Sequence, residues 1–246
     1  MSKIDGKTIL VTGANRGIGR AFVEELLKVG AAKIYATART VDTLTDLVEL
    51  GQGRVVPVKL DVTDLAEIEG LARAYTDVSV LVNNAGIAAF EGLIAAADIG
   101  PARSEMETNY FGTLNMVRAF APVLASNGGG AIINISSIGA YTNFPALGSY
   151  SASKAAVHSL TQGIRAELAA QGTQVSGVYP GPVDTAMTEG VPMEKTAPND
   201  VARDVLLAVE KGVEDIYPDP TSAEMYGVYL ADPKALEKKM GEMLPG

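Results

Sequence analysis

Lys7-Thr8-Ile9-Leu10-Val11-Thr12-Gly13-Ala14-Asn15-Arg16-Gly17-Ile18-Gly19 is the stretch that decides the fold. Its first six residues are a short apolar, β-branched run, which predicts a strand. The next seven make a glycine turn, and residues 20–29 have a helix-like pattern. Strand, glycine turn and helix in this order form a cradle for a dinucleotide. Glycines let the backbone approach closely, and the first helical amides face a pyrophosphate along the helix dipole. The spacing is Gly-x-x-x-Gly-x-Gly, not the commoner Gly-x-Gly-x-x-Gly.

Working outward, strands are expected at residues 33–38, 54–60, 78–82, 131–135, 174–179 and, briefly, 215–217. Pro57 inside the third run predicts an edge position, because proline cannot donate to a sheet ladder. Helices are expected between the strands: 41–50, a segment ending near 74 and capped by Thr63 or Asp64, 102–125, a segment from Tyr150 to about 171, and 200–211 capped by Asn199 or Asp200. Strands that alternate with helices throughout predict an α/β fold with a doubly wound parallel sheet. No repeat, low-complexity tract or linker divides residues 1–246, so one domain is expected.

Composition narrows the chemistry. The chain is 47 % apolar and 20 % charged, ordinary for a soluble globular protein. No apolar run reaches membrane-spanning length and the first residues lack a secretory core, so a cytoplasmic location is the default. With no cysteine, thiol nucleophiles and thiolate metal sites are excluded, and the single histidine, His158, rules out a multi-histidine zinc site. A net charge of −9 argues against nucleic-acid binding, which needs a basic surface.

Tyr150-Ser151-Ala152-Ser153-Lys154 holds the candidate chemistry. On a helix, Tyr150 and Lys154 lie one turn apart on a shared face. A phenol beside a fixed ammonium is expected to have its pKa lowered toward working pH, which suits proton exchange with a carbonyl/alcohol pair. Ser137 follows the apolar run 131–135 and so stands at a strand's carboxyl end, where open α/β sheets bind ligands. Asp61 closes the third strand and could bond an adenine amino group. Asn83-Asn84-Ala85-Gly86 closes the fourth and could hold a crossover loop or border a nucleotide. Asn109 falls inside a helix where a helix former is the ordinary choice.

Taken together, Thr12-Gly13-x-x-x-Gly17-Ile18-Gly19, Asn83-Asn84-Ala85-Gly86, Asn109, Ser137, Tyr150-x-x-x-Lys154 and Pro180-Gly181 resemble the short-chain dehydrogenases/reductases over residues 5–217. The resemblance implies a Rossmann fold and a catalytic tetrad of Asn109, Ser137, Tyr150 and Lys154. Ser137 would bond the substrate oxygen and Tyr150 would exchange the proton. Lys154 would lower the Tyr150 pKa and hold the nicotinamide ribose, and Asn109 would hold a water leading to solvent. The implied cofactor surface comprises Gly13, Asn15, Arg16, Gly17, Ile18, Gly19, Arg39, Asp61, Val62, Asn83, Ala85, Gly86, Tyr150, Lys154, Pro180, Gly181, Val183 and Thr185. His158 is read as structural, since the family mechanism uses no histidine.

The cofactor reading is NADP(H). NAD-selective sites commonly place an acid about 20 residues past the glycine turn. Residues 31–41 contain no acid, and Arg39 stands at the strand end with Arg16 in the turn itself, a fork suited to a 2′-phosphate.

The substrate is expected to be a small carbonyl compound or alcohol in an apolar pocket formed by Phe144, Tyr179, Met187 and Met193. Residues 185–198, including Val191 and Pro192, resemble the family's mobile lid. Residues 219–246 form an extension in which Met225, Tyr226 and Tyr229 could cover the pocket, a subunit contact or the core. The helix running on from Tyr150 carries few charges, which predicts a homo-oligomer, a tetramer or a dimer. Two alternatives to a carbonyl reductase are a 3-ketoacyl-carrier-protein reductase and a non-catalytic NADP(H)-binding redox sensor. Between Arg103 and Lys154 the only cation is Arg118, a poor landing surface for an acidic carrier, and a sensor need not retain a proton donor.

Overall fold

Apolar side chains in the central strands point alternately to two faces, and each face acquires its own layer of helices. Ile9, Val11, Val80, Val82 and Ile133 pack into one core with Phe22, Leu26, Val201 and Val205. Leu10, Leu81, Ile132 and Val175 pack into the other with Leu71, Phe120, Leu124 and Ile164. A period of two along each strand produces this division. The computed structural model describes residues 3–191 and 193–243.

The strands are β1 (Thr8–Val11), β2 (Lys33–Ala38), β3 (Val55–Lys59), β4 (Val80–Asn83), β5 (Gly130–Ile135), β6 (Thr173–Val178) and β7 (Asp215–Ile216). They form a parallel sheet in the order β3-β2-β1-β4-β5-β6-β7. The expected doubly wound fold is present, and Pro57 does lie on the edge strand, paired to Ala36. Chain direction across the sheet reverses at β1, whose Val11 sits between Ala36 and Val82. The crevice at the carboxyl ends of β1 and β4 is where such sheets take ligands.

The helices are α1 (Gly17–Lys28), α2 (Thr45–Gly51), α3 (Leu65–Ala74), α4 (Gly100–Glu105), α5 (Gly112–Ser126), α6 (Gly148–Leu168), α7 (Pro198–Glu210), α8 (Pro220–Ala231) and α9 (Pro233–Gly241). α3 is capped by Asp64, which accepts from the Ala66 and Glu67 amides. Neither Asn199 nor Asp200 caps α7. That helix starts earlier, at Pro198, whose fixed φ suits a first helical position, and Asn199 instead donates to Glu24 at 2.8 Å. The single helix expected over 102–125 is α4 and α5 joined through a π-helical turn, Met106–Phe111. Among the described residues no helix is long and apolar enough to cross a membrane.

The extension packs on the core. Met225, Leu236 and Met240 bury against Ile138, with Tyr141, Phe144, Tyr217, Tyr226 and Tyr229 around them. Tyr141 and Tyr217 join hydroxyls at 2.8 Å, and the Tyr217 and Tyr226 rings stack at 4.0 Å.

Candidate active site

The end of β1 is lashed to the end of β4 by side chains that the sequence places just past each strand. Thr12 Oγ1 accepts from the Asn84 and Ala85 amides at 2.9 and 3.0 Å. Asn84 Nδ2 returns bonds to the carbonyls of Thr12 and Gly13. Gly19 closes the turn from below: a Cβ there would lie 2.2 Å from the Gly13 carbonyl oxygen, so only glycine lets α1 seat this closely. No side chain caps the first turn of α1, so its amides face the crevice.

A cavity of about 620 Å³ opens over this crevice. It is lined on the β2 and β3 side by Arg16, Arg39, Asp61 and Val62, and centrally by Gly13, Asn15, Gly17, Ile18, Ala85 and Gly86. On the β5 and β6 side it is lined by Ser137, Tyr150, Lys154, Pro180, Gly181, Val183, Thr185 and Met187. These residues fit a phosphorylated dinucleotide: exposed helical amides for a pyrophosphate, and two guanidinium groups beside the β2 end for a further phosphate. Among the described residues neither Arg16 nor Arg39 is in an ion pair, whereas neighbouring Arg20 is held by Glu24 and Asp46. Asp61 is kept below the usual carboxylate range, mainly by the Thr63 amide, with Arg39 contributing.

At the far end Lys154 is only 4 % exposed, and its Nζ donates to the Ile135 carbonyl at 2.8 Å. Burial pushes Lys154 down to about 8. Tyr150 is enclosed except where it opens on the cavity, and burial pushes its phenol up to about 12, opposed by hydrogen bonding with Ser137 and reinforced by Glu105. This corrects the expected direction: Lys154 stands 5.6 Å from the Tyr150 ring centroid and does not set the phenol's proton affinity, which burial dominates.

Several expected residues lie off the cavity. Asn83 is buried in the sheet, where its amide donates to Asn134, which in turn donates to Thr161. Asn109 is 1 % exposed: its Oδ1 accepts from the Ile87 amide and its Nδ2 donates to Ile87 O and Ser153 Oγ. Tyr179 is fully buried beside His158, its hydroxyl 2.7 Å from Nδ1, so neither reaches the cavity. Phe144 packs with the C-terminal cluster instead. Met193 is not a lining residue either, whereas Met187 is, and Pro192 lies outside the described residues. The loop carrying Met187 is pinned at its base by a Val183–Thr196 bridge. The sequence reading passed over Thr188, Ile87 and Ser136. The first two line the cavity beside expected residues, and Ser136, adjacent to Ser137, also bonds the Lys154 carbonyl.

Comparison with known proteins agrees with this geometry. A short-chain dehydrogenase from Burkholderia cenocepacia, solved in complex with NADP, is 43 % identical with a TM-score of 0.92, covering 100 % of both chains. One from Burkholderia phymatum, solved with NAD, is 26 % identical with a TM-score of 0.85, covering 96 % of each. The NADP-dependent 3-hydroxy acid dehydrogenase of Schizosaccharomyces pombe is 34 % identical over 75 % of this chain and 74 % of its own. The family model for short chain dehydrogenases matches residues 7–196, which contain the crevice, the serine, the tyrosine and the lysine. With fold, site and sequence in agreement, the chain belongs to the short-chain dehydrogenase family.

Proposed function

We propose that this dehydrogenase is an NADPH-dependent carbonyl reductase, reversible as a secondary alcohol dehydrogenase. One observation carries the reading: Ser137, Tyr150 and Lys154 share one end of a cavity whose other end holds Arg16 and Arg39. When bound, the nicotinamide supplies the hydride in reduction and takes it back in oxidation.

The residues of the chain manage position and proton. Ser137 donates a hydrogen bond to the substrate oxygen, and Tyr150 delivers the proton that completes the alcohol. In oxidation the phenolate receives that proton. Lys154 keeps one donor on Ile135 and offers the others to the ribose hydroxyls and to a water path. Asn109 fixes Ile87 at the cavity wall and leaves one Oδ1 lone pair for that water. Arg16 and Arg39 bind the 2′-phosphate, and Pro180, Gly181, Val183 and Thr185 support the nicotinamide. Residues 185–198 serve as the substrate lid.

Ile87 and Met187 line the substrate end, and among the described residues Lys154 is the cation found there. That lining favours an uncharged ketone over a free oxo acid. The deciding experiment follows nicotinamide absorbance with a panel of ketones and secondary alcohols. Turnover with NADPH supports the reading, and tight NADPH binding without turnover of any member would favour a sensor.

A further inference from the structure

Asp219 is 4 % exposed and sits at the start of α8, outside the segment that carries the family's motifs. Its Oδ1 accepts from the Ser222 amide at 2.8 Å, an ordinary helix cap. Its Oδ2 accepts from the Ser222 hydroxyl at 2.9 Å and from the Gly181 amide at 2.8 Å. Among the described residues no lysine or arginine pairs with this carboxylate. A cap alone needs no charge, since serine caps about as well, and a buried carboxylate without a cation is costly. The second oxygen is therefore placed for Gly181.

Gly181 lines the cavity, and a Cβ on it would come within 2.8 Å of Asp219 Oδ1, so the turn is held at contact distance. One residue earlier, the Pro180 carbonyl accepts from the Ile138 amide at 3.0 Å, next to Ser137. The path from Asp219 through Gly181 and Pro180 to Ile138 joins the C-terminal segment to the loop that presents the serine hydroxyl. Stacked Tyr217 and Tyr226, with Tyr141 bonded to Tyr217, brace the same loop from the other side.

We propose that Asp219 is a positioning residue, which fixes the Pro180-Gly181 turn so that the nicotinamide end of the cofactor and the substrate oxygen at Ser137 meet in register. The proposal rests on the carbonyl-reductase reading for its effect on turnover, but not for its effect on Gly181.

The test compares full-length wild type with Asp219→Ser, which retains a capping hydroxyl but cannot reach Gly181. In wild type the peptide containing Gly181 should be protected from amide hydrogen exchange. In Asp219→Ser its exchange should speed by about tenfold or more while β1 and β5 are unchanged. kcat on an active ketone should fall on the order of 10- to 100-fold, the scale of a displacement near 1 Å. NADPH affinity should change by less than about threefold, because Arg16 and Arg39 hold the other end. Asp219→Asn, which keeps the cap oxygen and turns an amino group toward Gly181, should behave alike and covers the case in which the serine variant fails to fold. Rapid exchange at Gly181 in wild type, or unchanged kcat and exchange in a folded variant, overturns the proposal. A wild type that binds NADPH but reduces no ketone removes the functional reading instead, and the exchange result still decides whether Asp219 fixes Gly181.

Discussion

Lys154 and Tyr150 lie one turn apart on α6, with the ammonium 5.6 Å from the phenol ring centroid, and burial drives their proton affinities apart. Lys154 is pushed down to about 8 and Tyr150 up to about 12. Tyr150 therefore remains protonated through the neutral range, the form reduction needs, while Lys154 loses its charge first as pH rises. The kcat/KM for reduction, which reports the free enzyme, should hold level below pH about 8 and decline above it. Tyr150→Phe should lower turnover by about 10²–10⁴-fold with NADPH binding preserved. Lys154→Met should lose the inflection near pH 8. Initial rates across pH for the three proteins check this.

Glu105 accepts the Ala89 amide at 2.7 Å through Oε1 and raises the Tyr150 proton affinity electrostatically. Its Oε2 is buried and has no hydrogen-bond partner among the described residues. Glu105→Gln keeps the acceptor for Ala89 and removes the charge. The phenolate should then form more readily, so alcohol oxidation at a fixed pH below the Tyr150 pKa should quicken by a few-fold, up to about tenfold per pKa unit. Reduction at neutral pH should scarcely change. Paired measurements of kcat/KM in both directions give the answer, and equal losses in both would mean damage to the loop instead.

Arg39 sits at the end of β2, where an NAD-selective enzyme would carry an acid. Arg39→Asp should weaken NADPH by on the order of 10- to 100-fold, the worth of a lost charge-assisted bond, and leave NADH equal or better. Fluorescence titration of both cofactors reads the ratio, and a wild-type preference for NADH would show the two arginines to be misassigned.

Leu114, Arg118, Ala121, Ala156, Leu160 and Gly163 surround a hollow of about 500 Å³ on the outer face of α5 and α6. Small and apolar side chains there leave room for a second copy's helices. Light scattering at micromolar concentration should give a tetramer or dimer mass, and Leu160→Glu should lower it by placing a charge in the contact. A wild-type monomer would end this reading.

A neutral 3-oxo ester should be reduced more efficiently than the matching 3-oxo acid. The margin should be about tenfold or more, because among the described residues no cation besides Lys154 lines the substrate end to repay carboxylate desolvation. Comparing kcat/KM for the pair checks it, and a preference for the acid would point to a cation supplied from residues 185–198.

The sheet was legible because its signals are local. A period-two apolar pattern, strand-end glycines and Pro57 each act within a few residues of themselves. The cavity-lining residues were legible for the same reason, since they follow directly on strand ends. Asn83 and Tyr179 were misplaced because consecutive residues at a strand end point to opposite faces, and one step decides between sheet interior and cavity. The raised Tyr150 proton affinity was hidden for another reason: it depends on enclosure by distant segments, which helix spacing does not express. Asp219 carried no signal at all, since a capping aspartate before a proline is common punctuation, and its bond spans 38 residues to Gly181.

The π-helical turn at Met106–Phe111 acts as a phase shift in an otherwise continuous rod. It lets Glu105 reach Ala89 and Asn109 reach Ile87 while Met116, Val117 and Phe120 still meet the sheet. A π turn takes up about one residue more than an α turn, so removing one residue from it would restore α-helical winding with the two halves kept in phase, and the change would fall on Met106–Phe111 itself. The Asn109 bonds to Ile87, made from inside that turn, would then be lost while Met116, Val117 and Phe120 keep their place in the core. Segment length here is thus a coded quantity in its own right: a single-residue deletion would silence the site even if every side chain named above were retained.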